Sequence, residues 1–88
     1  MAYRRIMATT GTVRFWNPEE GWGVIDSPET PGGCWAHYTQ IQSDAVTAGR
    51  GFRTFDNGQP VEFASEKYLQ DGYEFRVIAV WPAVDTLH

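Results

Sequence analysis

A single cysteine, Cys34, stands among the 88 residues, so no intramolecular disulfide can staple this chain, and a disulfide-dense secreted scaffold is excluded. Long apolar runs are also missing. No stretch approaches the ~18 residues of a helical membrane span, and the N-terminus lacks the basic, apolar, then small-residue order of a secretory signal. The expected compartment is therefore the reducing cytoplasm, with no membrane partner. Cations are scarce: seven Lys and Arg face eleven Asp and Glu, for a net charge of −4 and a pI near 4.9. A protein that grips duplex DNA chiefly through its phosphates would be basic. Only two histidines occur, His37 and His88. Hydrolytic or transfer chemistry needs a nucleophile, a base and an orienting group that converge, so an enzyme is not expected. Cys34 and His37, three apart on a strand, would point to opposite faces, and no second pair completes a metal site. Neither a metal nor another cofactor is expected.

The length is enough for one small domain, because a second core would need roughly 100 residues more. What the chain has in abundance is aromatic: four Trp, four Tyr and five Phe, or 15% of the residues. Residues 1–9 show no sustained period and read as a frayed N-terminal tail, with Met7 an alternative start; 83–88 read as a C-terminal tail. The domain between, 10–82, is punctuated by turn residues at Asn17-Pro18, Ser27-Pro28, Pro31-Gly32-Gly33, Asp56-Asn57-Gly58 and Asp71-Gly72. The segments 12–17, 22–27, 34–38, 61–68 and 73–81 are rich in β-branched and aromatic residues, and no window carries a helical apolar stripe. Five strands without strand–helix alternation predict an all-β fold, a small antiparallel barrel. One connection, 42–59, is longer than the ~12–15 residues usual for loops without a function.

Alternation along a strand sorts the aromatics by face. Trp22 and Val24 share one face of their strand, Gly23 and Ile25 the other; Trp35 and His37 share a face opposite Cys34 and Ala36. A small barrel interior accepts Ile25, Cys34 and Ala36 but not two tryptophans and a histidine. Trp22, Trp35 and His37 are therefore expected outside, on adjacent strands. In the first strand Val13 is the core candidate, and Arg14 is expected to face solvent with Trp16. Phe15 would then point inward unless a bulge re-aims the strand. An exposed cluster of aromatics on neighbouring strands is an interaction surface by default. The bland alternative is that the long loop or a partner covers it.

Three blocks carry a specific resemblance: Gly11-Thr-Val-Arg-Phe-Trp-Asn17, Gly21-Trp-Gly-Val-Ile25 and Cys34-Trp-Ala-His-Tyr38. In order and spacing they resemble the cold-shock domain, whose pattern runs Gly-x-Val-Lys-Trp-Phe-Asn, Lys-Gly-Phe-Gly-Phe-Ile and Val-Phe-Val-His-Phe. Ile41 and the run Asp56-Asn57-Gly58-Gln59-x-Val61-x-Phe63 fit the same family. The match is strong over 11–65 and weak over 72–80. It implies a five-stranded antiparallel OB-type β-barrel that binds single-stranded RNA or DNA by stacking bases on surface aromatics. Carried over position by position, the binding set is Arg14, Phe15, Trp16, Trp22, Trp35, His37, Tyr38, Phe52 and Arg53. Stacking is sequence-tolerant and needs few phosphate contacts, which makes a net negative charge tolerable. The resemblance also implies that Gly21 and Gly23 leave room for a base beside Trp22.

The chain departs from that pattern in several places. Val24 replaces a second stacking aromatic, Glu19-Glu20 replaces a lysine, Gly33 replaces an aspartate, and Phe15-Trp16 inverts the usual pair. Cys34 and Ala36 shrink two core valines, a change expected to cost stability. About six residues are inserted within 45–51. Glu19, Glu20, Glu62 and Glu66 read as solvated charges. The leading functional reading is an RNA chaperone or regulator of transcription or translation. The alternative is a protein-interaction module that kept the barrel and repurposed its aromatic patch. A monomer is the default expectation, with self-association left open by the Trp patch and the long loop.

Overall fold

The computed structural model describes residues 8–42 and 54–83. Between the turn clusters, the β-branched and aromatic runs form β1 (Thr9–Asn17), β2 (Trp22–Asp26), β3 (Cys34–His37), β4 (Pro60–Gln70) and β5 (Tyr73–Pro82). All five expected segments are strands; β1 begins three residues earlier than the alternation suggested, so Thr9 pairs with Phe63 of β4. The one helical piece among the described residues is a 3-10 turn, Tyr38–Gln40. None of those residues forms a helix long and apolar enough to cross a membrane.

The strands close into a barrel in the order β1-β2-β3-β5-β4. Four seams are antiparallel, and the fifth, β3 against β5, is parallel, with Cys34 opposite Phe75 and Trp35 opposite Arg76. The expectation of a wholly antiparallel barrel is corrected at this seam, and the reason is topological. A ring with an odd number of strands cannot alternate direction all the way round.

Val13, Ile25, Val61, Phe63, Val77 and Val80 fill the interior, none more than 1% exposed. Trp16 joins them. It was expected at the surface beside Arg14, and it is 6% exposed, packed edge-on against Phe55 at 5.5 Å between ring centroids. The register explains the correction. Val13 opposes Ile25 and Phe15 opposes Val24, so the ladder skips a residue at Arg14. This bulge turns Arg14 and Phe15 both outward and sends the next residue, Trp16, inward. Trp16 opposes Gly23, which in turn opposes Ala36. An indole with two small neighbours in its row thus occupies the volume that Ala36 and Cys34 give up. The loss of stability expected from those small residues is offset by burial of Trp16, worth about 3 kcal/mol.

Candidate functional site

The outer faces of β1, β2 and β3 carry a continuous row of rings. Phe15 meets Trp22 edge-on, with centroids 5.2 Å apart and planes at 81°. Trp22 and Trp35 are nearly parallel, 18° apart at 6.4 Å, and Trp35 and His37 likewise, 16° at 5.8 Å. Tyr38 closes the row, tilted 43° from His37 at 4.7 Å. Cross-strand pairing sets this order: Trp22 lies opposite His37, and Val24 lies opposite both Phe15 and Trp35. Val24 does share the face of Trp22, as alternation requires, but it is completely buried between its two aromatic partners. Phe15, Trp22, Trp35 and His37 are half-buried, and Tyr38 is 43% exposed. Each ring therefore keeps part of its surface in contact with solvent.

Hydrogen bonds hold three of the five rings in place. The Trp22 indole N–H donates to Glu20 Oε1 at 3.0 Å. Glu20 is thus a solvent-exposed charge, as expected, that also positions the ring. The backbone N–H groups of Glu19 and Glu20 both donate to Asn17 Oδ1 at 3.1 Å, fixing the β1–β2 turn from which Trp22 emerges. His37 caps the 3-10 turn: its Nδ1 accepts from the Thr39 N–H at 3.4 Å, while its own N–H donates to Gln40 Oε1 at 2.8 Å. Nδ1 also lies 2.9 Å from Thr39 Oγ1, so the turn tethers the ring on that side. Tyr38 is anchored by its backbone N–H, which donates to the Gly21 carbonyl at 2.8 Å.

Both arginines described near the row are paired with carboxylates. Arg14, outward at the bulge, binds Asp26 Oδ1 through Nε at 3.0 Å and Nη2 at 2.6 Å, a contact that raises its pKa further. Arg76 Nε binds Glu66 Oε2 at 2.6 Å, and the Arg76 guanidinium lies 3.6 Å over the Tyr68 ring. Glu62 accepts from the Trp81 indole at 3.2 Å. Glu62 and Glu66, like Glu20, keep contact with solvent as expected and in addition hold these partners.

Sequence reasoning placed Trp22, Trp35, His37 and Tyr38 together, and the coordinates bring them together with Phe15 and with Arg14 at the rim. Trp16 is not available on this face. Phe52 and Arg53 lie outside the described residues. The room left by Gly23 is on the inner side, where a Cβ would overlap the Trp16 indole and the Phe15 carbonyl, rather than beside Trp22. Gly33 has φ of +108°, and a Cβ there would approach Val24 Cγ1 to 2.8 Å and Arg14 Nη2 to 3.0 Å. The backbone of this turn excludes an aspartate, which accounts for that departure. Cys34 is buried inside the barrel while His37 stands outside; desolvation pushes the Cys34 thiol up to about 12. Tyr68 and Arg76 were missed, since they fall where the resemblance fades; the signal was the one arginine of β5, among mostly apolar neighbours.

Residues 9–74 match the family model described as the 'Cold-shock' DNA-binding domain. The chain is 36% identical over 71 residues to cold shock-like protein CspJ of Salmonella typhi, covering 81% of this chain and 93% of the relative. It is 42% identical over 53 residues to probable cold shock protein A of Mycobacterium tuberculosis, covering 60% and 70%. Among solved structures, drosophila Unr CSD456 superposes with a TM-score of 0.63 at 18% identity. That likeness, over 92% of this chain, shows the shared barrel; the chain spans 29% of that larger structure.

Proposed function

Because the chain belongs to the cold-shock domain family, we propose that its outer aromatic row binds unpaired RNA or DNA by stacking bases on Phe15, Trp22, Trp35, His37 and Tyr38. The reading is of an RNA chaperone or regulator of transcription or translation, non-enzymatic, monomeric and cytoplasmic. The observation that carries it is the unbroken run of five rings across three strands and the 3-10 turn that follows them, from Phe15 to Tyr38. Each base–aromatic stack contributes about 1–3 kcal/mol, so four stacks supply roughly 4–12 kcal/mol before ordering costs. Little phosphate attraction is then needed, which suits a chain of net charge −4. The nearest described cations, Arg14 and Arg76, already hold carboxylates.

A second reading, a protein-interaction surface, draws on Glu20: a carboxylate bonded to Trp22 opposes a phosphate passing the same ring. Titration of the purified chain with dT, dA and rU oligomers at two salt concentrations separates the two. Quenched tryptophan emission with weak salt dependence supports stacking. No change with any oligomer rejects it and leaves the protein-interaction reading.

A further inference from the structure

Beyond the row of rings, the outer face continues across the parallel seam to β5 and β4. Arg76 is the register partner of Trp35 there, one strand spacing away, about 4.8 Å between backbones. Its guanidinium is unusually well held for a surface arginine. It lies 3.6 Å over the Tyr68 ring, which fixes its plane. Nε is committed to Glu66 Oε2 at 2.6 Å, which fixes its rotation in that plane. Its two Nη groups make no hydrogen bond among the described residues, so both donors stay available on the strand that pairs with Trp35.

We propose that Arg76 reads a guanine: a base stacked on Trp35 offers its O6 and N7 acceptors to the two Nη donors. This inference rests on the stacking reading above and deepens it. Charge decides between a base and a phosphate as the target. Glu66 neutralises the guanidinium and its carboxylate would repel a phosphate, whereas a neutral acceptor pair meets the fork at no such cost. Shape decides among the bases. Two adjacent acceptors on one edge match a planar two-donor fork; adenine and cytosine put an amino donor on the equivalent edge. In a single strand that edge is open. Arg76 also lies past residue 74, where the family match ends, so the assignment belongs to this chain's own β4–β5 pair.

The test is affinity for a thymidine oligomer of about seven nucleotides and for the same oligomer with one central guanosine. Guanosine is expected to tighten binding about tenfold, the discrimination of one good bidentate contact. Replacing it with 7-deazaguanosine, which lacks N7, should remove most of that gain on the unaltered protein. Arg76→Lys, with a preserved melting temperature, should bind both oligomers like the all-thymidine strand. The uridine-backbone equivalents are expected to show the same gain, since the fork reads the base. A gain that survives 7-deazaguanosine or Arg76→Lys, or that appears on one backbone only, overturns the assignment. If the thymidine oligomer binds and guanosine adds nothing, Arg76 reads no guanine while stacking stands. If neither oligomer binds, both readings fall together.

Discussion

Trp16 faces Gly23 across the β1–β2 pairing, and the glycine's missing side chain is the space in which the indole lies. The inverted Phe15-Trp16 order, Gly23 and the small Ala36 are thus parts of one packing solution. Val13 and Ile25 precede this row in register, so the barrel interior is filled on both sides of the bulge at Arg14.

That coupling predicts a specific stability pattern. Gly23→Ala and Ala36→Val should each lower stability by about 1–3 kcal/mol through overpacking. Trp16→Phe should recover part of the Ala36→Val loss, with a coupling of about 0.5–3 kcal/mol in a double-mutant cycle. Urea midpoints of the four proteins measure it; strict additivity would show that the two side chains do not share volume.

Truncating the platform separates stacking from charge. Trp22→Ala and Trp35→Ala should each weaken oligonucleotide binding by about 1–3 kcal/mol with little change in melting temperature. Because the nearby arginines already hold carboxylates, log affinity should fall against log salt with a slope no steeper than about −1.4, the value for two neutralised phosphates. A slope several times steeper would mean that phosphates, rather than rings, carry the binding.

Glu20 offers a cleaner probe of the rim. Glu20→Gln keeps an acceptor for the Trp22 indole while removing the negative charge. Affinity for an oligonucleotide should rise up to about fivefold at low salt, since one exposed charge at contact is worth about 1 kcal/mol in water. The gain should vanish at high salt. Titrations at two ionic strengths check both halves of the statement.

Cys34 ties stability to alkaline pH. Burial raises its thiol from the ordinary value to about 12, so the unfolded chain loses this proton at lower pH than the folded one. Its contribution is intact below the ordinary thiol range and is lost as pH climbs toward 12. Cys34→Ala should therefore flatten the decline of the urea midpoint above about pH 9, where the free thiol ionises. The folded thiol should also resist alkylation at pH 8 until denaturant is added.

Most of this face was legible in the sequence because β2 and β3 pair with each other without interruption. Simple alternation therefore set Trp22, Trp35 and His37 on one side and Ile25, Cys34 and Ala36 on the other. It failed in β1, where the extra residue at Arg14 reverses the alternation and exchanges the roles of Phe15 and Trp16. No composition signal marks such a bulge; it becomes visible only when the partner strand is known. The parallel seam was hidden for a similar reason, since it depends on how the ring closes. The Glu20–Trp22 and Arg76–Tyr68 contacts are choices of side-chain rotamer, and spacing along the chain carries no record of them.

The interior position of Trp16 has one further consequence. Its indole N–H is buried with no acceptor among the described residues, while Trp22, Trp35 and Trp81 all reach solvent. An indole in so apolar a setting emits at shorter wavelength than its wetted counterparts. The blue edge of the spectrum then follows the integrity of the barrel and the red edge follows what settles on its flank, giving one molecule both a reporter and an internal standard.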